Sequence, residues 1–461
     1  VKTLAGSATA LAAGLAAIRT QFQLPGDFPP EVTTAAEEAA KRAPTEHVDR
    51  TDQPFVTLDP ASSTDLDQAF AIERAGDDLI LHYAIADVAW FVDDGGPIDV
   101  EAWKRGATQY LPDGKARLYP AIVSEGAASL LPDVPRPAVI FTTRVAPDGA
   151  VVLTGAERAV IRSRAKLAYA TVTDADLPAG FAELADRIGR AEDARGAERV
   201  DPPQQEVFEK PDGSLDLGFS PRLVSEDRNA ALSLATNMAV ADALFAHRTG
   251  LFRVMAEPDE GAIQRLRHTA RAFGLVWPAN EPLAQYQKSL SGADPRQAAF
   301  MLAIRRAGHG ASYEPYQPGR IPWHAAMAAT YAHATAPLRR LADRYVVRAA
   351  LAIANGQKVP DIVAQAFAKL PPVMAHAEAV EGQIQRGAID LAEALLLEGS
   401  EGHTFPAIVT DLDERGARIQ LRDVPVVARV VAHDVHPGAA IVVRLTAVDP
   451  LRRTIAFERV A

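Results

Sequence analysis

Three acidic residues, Asp59, Asp65 and Asp67, fall within nine positions of the stretch DPASSTDLDQAF. Carboxylates this close repel one another, so the spacing asks for either water or a cation between them. The preceding FVTLD reads as a buried strand ending at Asp59. Pro60 then stops regular pairing, and ASSTDLDQ reads as a loop. Asp65 and Asp67 are two apart and share a face wherever the backbone is extended. Hard oxygen donors of this kind suit Mg²⁺, or Mn²⁺, in octahedral coordination. The competing reading is a solvated loop in which Asp and Ser cap turns. On spacing alone the solvated loop is the commoner outcome.

A cationic constellation lies far downstream in YAHATAPLRRLADRYVVR. It reads as a helix beginning after Thr335, with Thr335 as N-cap and Pro337 in the first turn. Leu338, Leu341, Ala342 and Tyr345 form its apolar stripe. A guanidinium fork near a helix start binds phosphate well, which selects Arg339 as a phosphate contact. Arg340, Arg344 and Arg348 recur every four residues. For Arg344 and Arg348 the preferred reading is a solvated face paired with Asp343. Tyr110 and Tyr169 read, on residue type alone, as core tyrosines with satisfied hydroxyls. Tyr110 precedes Leu111-Pro112 and so ends a segment, which suits an exposed ring. Lys166 is a candidate to neutralise a phosphate. The eleven histidines show no metal-ligand spacing. His433 and His436 read as surface loop residues, and His333 as the holder of a structural hydrogen bond.

These residues need a large scaffold, and the chain supplies one. It has 461 residues and 48% hydrophobic content, enough for about three domains. The absence of cysteine excludes disulfides and thiolate metal sites. A net charge of -11 argues against indiscriminate nucleic-acid binding by whole-molecule charge and leaves room for a local basic groove. No apolar run reaches the roughly 18 residues of a membrane span, so no membrane partner is expected. The alanine-rich start, VKTLAGSATALAAGLAAIRTQF, reads as a helix in preference to a signal peptide, because no clean cleavage site follows.

QAFAIERAGDDLILHYAIAD reads as a hairpin turning at Gly76-Asp77-Asp78. AVIFTTRVAPDGAVVLTGAERAVI reads as another, turning at Asp148-Gly149. Helical periodicity is expected from about 180 to about 400, with a stop at Gly250 and a last long helix, HAEAVEGQIQRGAIDLAEALLLEG, ending at Gly399 or Gly402. Five short strands in the last stretch suit a small OB-like barrel. The fold class is α+β: a helical segment at 1–50, a mixed catalytic domain at 51–400 and an OB-fold barrel at 401–461.

Several ordered motifs give the acids a context. FVTLDPASSTDLDQAF, HYAIADVAWFV, ATQYLP, SLLPDVPRPAVIF, AKLAYATV, LFRVMAEPD and YAHATAPLRRLAD, in this order, resemble the catalytic domain of the ribonuclease II (RNB) family of exoribonucleases. The C-terminal barrel resembles the S1-type RNA-binding domain that the family carries there. The resemblance covers roughly residues 50–461. It implies a 3′-to-5′ exoribonuclease that hydrolyses single-stranded RNA to nucleoside 5′-monophosphates with Mg²⁺ or Mn²⁺, cytoplasmic and monomeric. By the same resemblance Asp59, Asp65, Asp67 and position 68 hold metal. Asp67, with Asp65 and Arg339, serves the chemistry. Tyr110, Tyr169, Arg339, Arg340 and Lys166 contact RNA.

The chain also departs from the family pattern. A fourth aspartate is replaced by Gln68, an RNA-contacting glutamate by Ala230, and the Ser and Tyr of the arginine signature by Ala336 and Leu341. About 50 residues stand where the family has paired cold-shock barrels. An open entrance is therefore expected, admitting RNA with a 3′ overhang on a duplex, with Arg415, Arg418, Arg422, Arg429 and Arg444 of the barrel as a phosphate track. Two other classes stay open: an RNA-binding protein whose nuclease is impaired by Gln68, and a metal-dependent phosphoesterase acting on small esters.

Overall fold

The computed structural model describes residues 8–197, 204–210, 215–220, 223–291, 294–307, 310–413, 416–432 and 434–460. The alanine-rich start forms helix α1 (Ala8–Gln21), and α2 (Pro30–Ala39) follows with a proline in its first turn. Leu11, Leu15 and Ile18, spaced four and three apart, are the buried face of α1. They pack against Ile384, Ala388 and Leu391 far down the chain.

The acidic stretch begins with β1 (Thr57–Asp59) and passes through a loop into β2 (Gln68–Ala75). β3 (Asp78–Ala86) returns antiparallel, with Ala75 opposite Asp78. This is a two-residue turn in which Gly76 takes φ +63°, a conformation that costs glycine little. Next comes a short hairpin, β4 (Gln109–Leu111) and β5 (Gly114–Ala116), followed by the long pair β6 (Pro135–Val145) and β7 (Val151–Arg162). The five-stranded sheet runs Val48–Asp49, β7, β6, β3, β2. β8 (Lys166–Ala168) pairs parallel with β1 and sets Ala168 opposite Asp59. β1 is thus secured from one side by β8 and, through the Val56–Phe70 bridge, from the other by β2.

Helices α3 (Phe181–Arg195) and α4 (Val224–Ala246) come next, then α5 (Leu341–Ala354) and the 37-residue α6 (Asp361–Leu397). α4 and α5 both lie against β7, and α6 covers α5. The helix expected from about 376 in fact starts at Asp361 and runs through Pro371 and Pro372. Helix dominates between 180 and 400 as expected, with short strand pairs set among the helices. Strands Gln204–Glu209 and Leu215–Ser220 form one hairpin, and Leu251–Val254 pairs with Ser312–Pro315. These runs are short and flanked by helices, so helical periodicity dominates any window that contains them.

The C-terminal strands β9 (Thr404–Asp413), β10 (Gly416–Leu421), β11 (Val427–Val431), β12 (Ala440–Asp449) and β13 (Thr454–Arg459) form a closed barrel in the order β9-β10-β11-β13-β12. Its interior is built from alternate residues such as Ile419, Leu421, Val443 and Leu445. The α+β class and the barrel expected from the sequence are both present. The barrel rests on α6 through Glu393, which accepts hydrogen bonds from Val427 N–H (2.7 Å) and from Gln205 Nε2 (2.6 Å). Among the described residues, no helix is long and apolar enough to cross a membrane.

Candidate active site

Asp59 ends β1, and Asp67 immediately precedes β2. The loop between them is tied down by four side chains. Ser129 Oγ donates to Thr64 O (2.8 Å) and accepts from Leu66 N–H (2.9 Å). Lys166 Nζ donates to Ala61 O (2.7 Å) and Ser63 O (2.6 Å). Lys115 Nζ, on the β4–β5 hairpin, donates to Asp65 Oδ1 (2.7 Å), and Tyr110 Oη from the same hairpin donates to Asp65 Oδ2 (3.0 Å). Lys166, expected at a phosphate, is thus occupied with the loop's carbonyls. Lys115 and Ser129 were not singled out by the sequence. Ser129 lay within SLLPDVPRPAVIF without a role, and Lys115 follows a Pro-Asp-Gly turn that carries no signal of its own.

Asp65 and Asp67 take different partners. Leu66 between them is fully buried, and Asp67 turns inward, where it is 6% exposed. Asp67 Oδ1 accepts the Leu338 N–H (2.7 Å), and its Oδ2 lies 3.3 Å from Arg339 Nε. Burial pushes Asp67 up to about 7, against the pull of Arg339 and of the Leu338 N–H. Asp59 is also pushed up to about 7 by burial, with Arg339 opposing. Its Oδ2 is buried and has no hydrogen-bond partner.

The arginine segment differs from the expected helix. Residues 336–340 form a turn, and α5 begins only at Leu341. Thr335 is not its N-cap; its hydroxyl lies 2.9 Å from that of Ser233. The turn is suspended between two carboxylates. Asp67 takes the Leu338 N–H, and Asp343 Oδ1 takes the Ala336 N–H (2.7 Å). Both satisfy backbone donors that a helix start would leave open. Arg340 makes a two-pronged pair with Asp343 (2.9 and 2.7 Å).

The solvated face expected for Arg344 is also corrected. Arg344 is 1% exposed and pairs with Asp99, because α5 is enclosed by β7, α4 and α6. Arg348 pairs with Asp94 (2.6 Å). In contrast, the Arg339 side chain is 48% exposed. Its Nε faces Asp67, and the residue lines the adjoining cavity.

That cavity has a volume of about 1340 Å³, and its lining includes Gln68, Tyr169, Asn229, Arg339 and Arg340. Tyr169 Oη accepts from Asn229 Nδ2 (2.8 Å), and burial pushes its hydroxyl up to about 12. Asn229 is another residue missed from the sequence; it sits one position before Ala230 and also holds Leu58 O (3.2 Å). Tyr110 is 44% exposed, as expected, but it is the middle residue of β4, opposite Lys115, and does not end a segment. His333 Nδ1 meets Tyr313 Oη at 2.8 Å, and burial holds its pKa well below the usual range.

In the barrel, Arg418 and Arg429 are cross-strand neighbours, and Arg444 pairs with Glu458. Arg415 and His433 lie outside the described residues.

Among the described residues, no three carboxylates or imidazoles converge closely enough to hold a metal ion. The expected cage of Asp59, Asp65, Asp67 and Gln68 is therefore not assembled as such. Asp65 is drawn to Lys115 and Tyr110, and Asp67 to Leu338 and Arg339. The donor set nonetheless suits a hard cation: these are oxygen ligands, and Asp59 Oδ2 is a buried carboxyl oxygen without a hydrogen-bond partner.

Comparison with known proteins places this geometry in a family. The RNB domain matches residues 47–355, and the RNase II-type exonuclease C-terminal S1 domain matches residues 403–460. Ribonuclease R 1 of Lactococcus lactis subsp. lactis (strain IL1403) is 24% identical over 440 residues, 88% of this chain and 53% of that relative. The chain spans less than two thirds of the length of such curated relatives. The structure of Mycoplasma genitalium RNase R in complex with ribose methylated single-stranded RNA superposes with a TM-score of 0.85 at 19% identity, over 98% of this chain and 78% of that one. Yeast Ssd1, a pseudonuclease, superposes with a TM-score of 0.66 at 16% identity, over 86% of this chain and 51% of that one. With more than half its residues matched by the RNB domain and the barrel matched by its C-terminal S1 domain, this chain belongs to the RNB family of exoribonucleases.

Proposed function

We propose that the chain hydrolyses single-stranded RNA from its 3′ end and releases nucleoside 5′-monophosphates, using Mg²⁺ or Mn²⁺. The observation that carries this reading is the contact between Asp67 and Arg339 at the edge of the large cavity. Phosphodiester hydrolysis builds negative charge on the phosphoryl oxygens, and a fixed guanidinium aimed at that charge lowers the barrier. Asp67 holds Arg339 through Nε, so the terminal nitrogens meet a phosphate already oriented.

Asp59 would hold the divalent ion through its free Oδ2, with Asp65 and Asp67 beside it and Gln68 able to add a neutral oxygen. When bound, such an ion supplies an acidified water and polarises the phosphate. The chain's own residues do the positioning. Tyr110 offers an exposed ring on which a base can stack, a contact worth about 1–3 kcal/mol and tolerant of base identity. Tyr169, with its hydroxyl held by Asn229, lines the cavity.

A second reading is RNA binding with little turnover. It is favoured by Gln68 in place of an acid and by the engagement of both Asp65 oxygens. One assay separates the two: incubation of 5′-labelled single-stranded RNA with Mg²⁺ or Mn²⁺. Progressive shortening with release of 5′-monophosphates supports hydrolysis from the 3′ end; a bound but intact RNA supports the second reading.

A further inference from the structure

Lys115 stands where the acidic loop needs positive charge. Its ammonium is 2.7 Å from Asp65 Oδ1 and 2.8 Å from Glu125 Oε1. The side chains of Lys115, Asp65 and Glu125 are 15%, 10% and 17% exposed, so water screens this cluster only weakly. The other Asp65 oxygen is taken by Tyr110.

Lys115 is also held in place from behind. Asp113, in the turn of the same hairpin, pairs with Arg19 of α1 (2.9 Å). Arg117, just after the hairpin, pairs with Glu125 (2.7 Å). A lysine ordinarily gives up much side-chain freedom to hold one position; here part of that freedom is already removed by a braced hairpin.

The charges around the loop are few and can be assigned. Asp59, Asp65 and Asp67 are the acids of the loop, Arg339 answers Asp67, Lys166 is held by the loop carbonyls of Ala61 and Ser63 and acts on Asp59, and Gln68 adds no charge. Glu125 is shared between Arg117 and Lys115. Asp65 is therefore neutralised by Lys115, and one carboxylate, Asp59, keeps a buried oxygen without a partner.

We propose that Lys115 is the resident cation at Asp65 and fills the place beside it that a second divalent ion would otherwise take. The centre then binds one divalent ion, at Asp59, and Lys115 weakens that binding by repulsion. Lys115 acts as a positioning residue, setting where charge sits without touching the reacting phosphate. This rests on the metal reading given under Proposed function.

The test is Mn²⁺ binding to the full chain without RNA, followed by the electron paramagnetic resonance signal of free Mn²⁺. The unaltered chain should bind one Mn²⁺. Lys115→Met should bind Mn²⁺ at least about tenfold more tightly, and Lys115→Arg should stay within about twofold of the unaltered chain. Glu125→Gln should shift affinity the other way, about threefold weaker, because Lys115 then spends its whole charge on Asp65. Opposite shifts from two neighbouring substitutions are not what a general loosening of the loop would produce. Should Lys115→Met fail to fold, the Glu125→Gln and Lys115→Arg measurements decide alone. Unchanged affinity in Lys115→Met or Glu125→Gln, or shifts of one sign in both, would overturn the proposal. So would two Mn²⁺ per unaltered chain, which leaves the metal reading standing. Absence of any Mn²⁺ binding would overturn that reading and the proposal together.

Discussion

Asp67 Oδ2 lies 3.3 Å from Arg339 Nε across 272 positions of sequence, while Asp67 Oδ1 accepts the Leu338 N–H at 2.7 Å. One buried carboxylate therefore fixes both the backbone of the arginine turn and the orientation of its guanidinium. Asp343 anchors the other end of the turn through the Ala336 N–H. Both acids accept backbone donors that would otherwise be left open in a dry interior, which gives the turn a single conformation.

Arg339→Lys tests the orientation. Lysine keeps the charge but has no fork and no Nε to meet Asp67. Single-turnover cleavage should slow by about 100-fold or more, while RNA affinity falls by less than about tenfold. Equal losses in rate and affinity would mean that Arg339 only binds.

Ser129→Ala tests the loop. Ser129 is fully buried and bonds both Thr64 O and Leu66 N–H. Its loss strands a buried donor and acceptor, at a cost of about 1–3 kcal/mol in urea unfolding. Cleavage should fall as well, since Asp65 and Asp67 are on the loop being released. A variant as stable and active as the parent would show that the loop is held by its other ties.

What could be read from the sequence divides along physical lines. The β2–β3 and β6–β7 hairpins were legible because their periodicity and Gly-bearing turns are local signals. The barrel was legible for the same reason. The acids and Arg339 were legible as types in a pattern, yet their directions were not. Nothing near Asp65 announces Lys115, because the hairpin meets the loop only in three dimensions. Arg344 looked solvated from its spacing, since periodicity places a residue on a face without saying what covers that face. The α5 start was misjudged for a related reason: Thr335 and Pro337 are good capping residues, but Asp67, far away in sequence, captures the turn first.

Gln68→Asp bears on metal demand. It adds a carboxylate at the start of β2, where residue 68 lines the cavity. The Mg²⁺ or Mn²⁺ concentration giving half-maximal activity should drop several-fold. A titration that does not shift would show that residue 68 faces away from the ion.

Glu393 links pH to the seat of the barrel. Burial pushes it up to about 7 from the usual 4.5, against the Val427 and Gln205 hydrogen bonds. The folded chain then holds a proton that the unfolded chain has released. Stability from this group is present below the unfolded value and is lost as pH rises through about 7. Glu393→Gln keeps an acceptor oxygen and cannot ionise. Its melting temperature should fall less steeply than the parent's between about pH 5 and about pH 8. Parallel curves would contradict this assignment.

The most direct test of the central claim is single-turnover digestion of a 5′-labelled single-stranded RNA by the parent chain and by Asp67→Asn, with Mg²⁺ or Mn²⁺ present and RNA affinity measured in parallel. The parent should shorten the RNA from its 3′ end and release 5′-monophosphates. Asp67→Asn should lose at least about 100-fold in rate, with affinity kept within a few-fold. No cleavage by the parent, or near-normal turnover by Asp67→Asn, would contradict that claim.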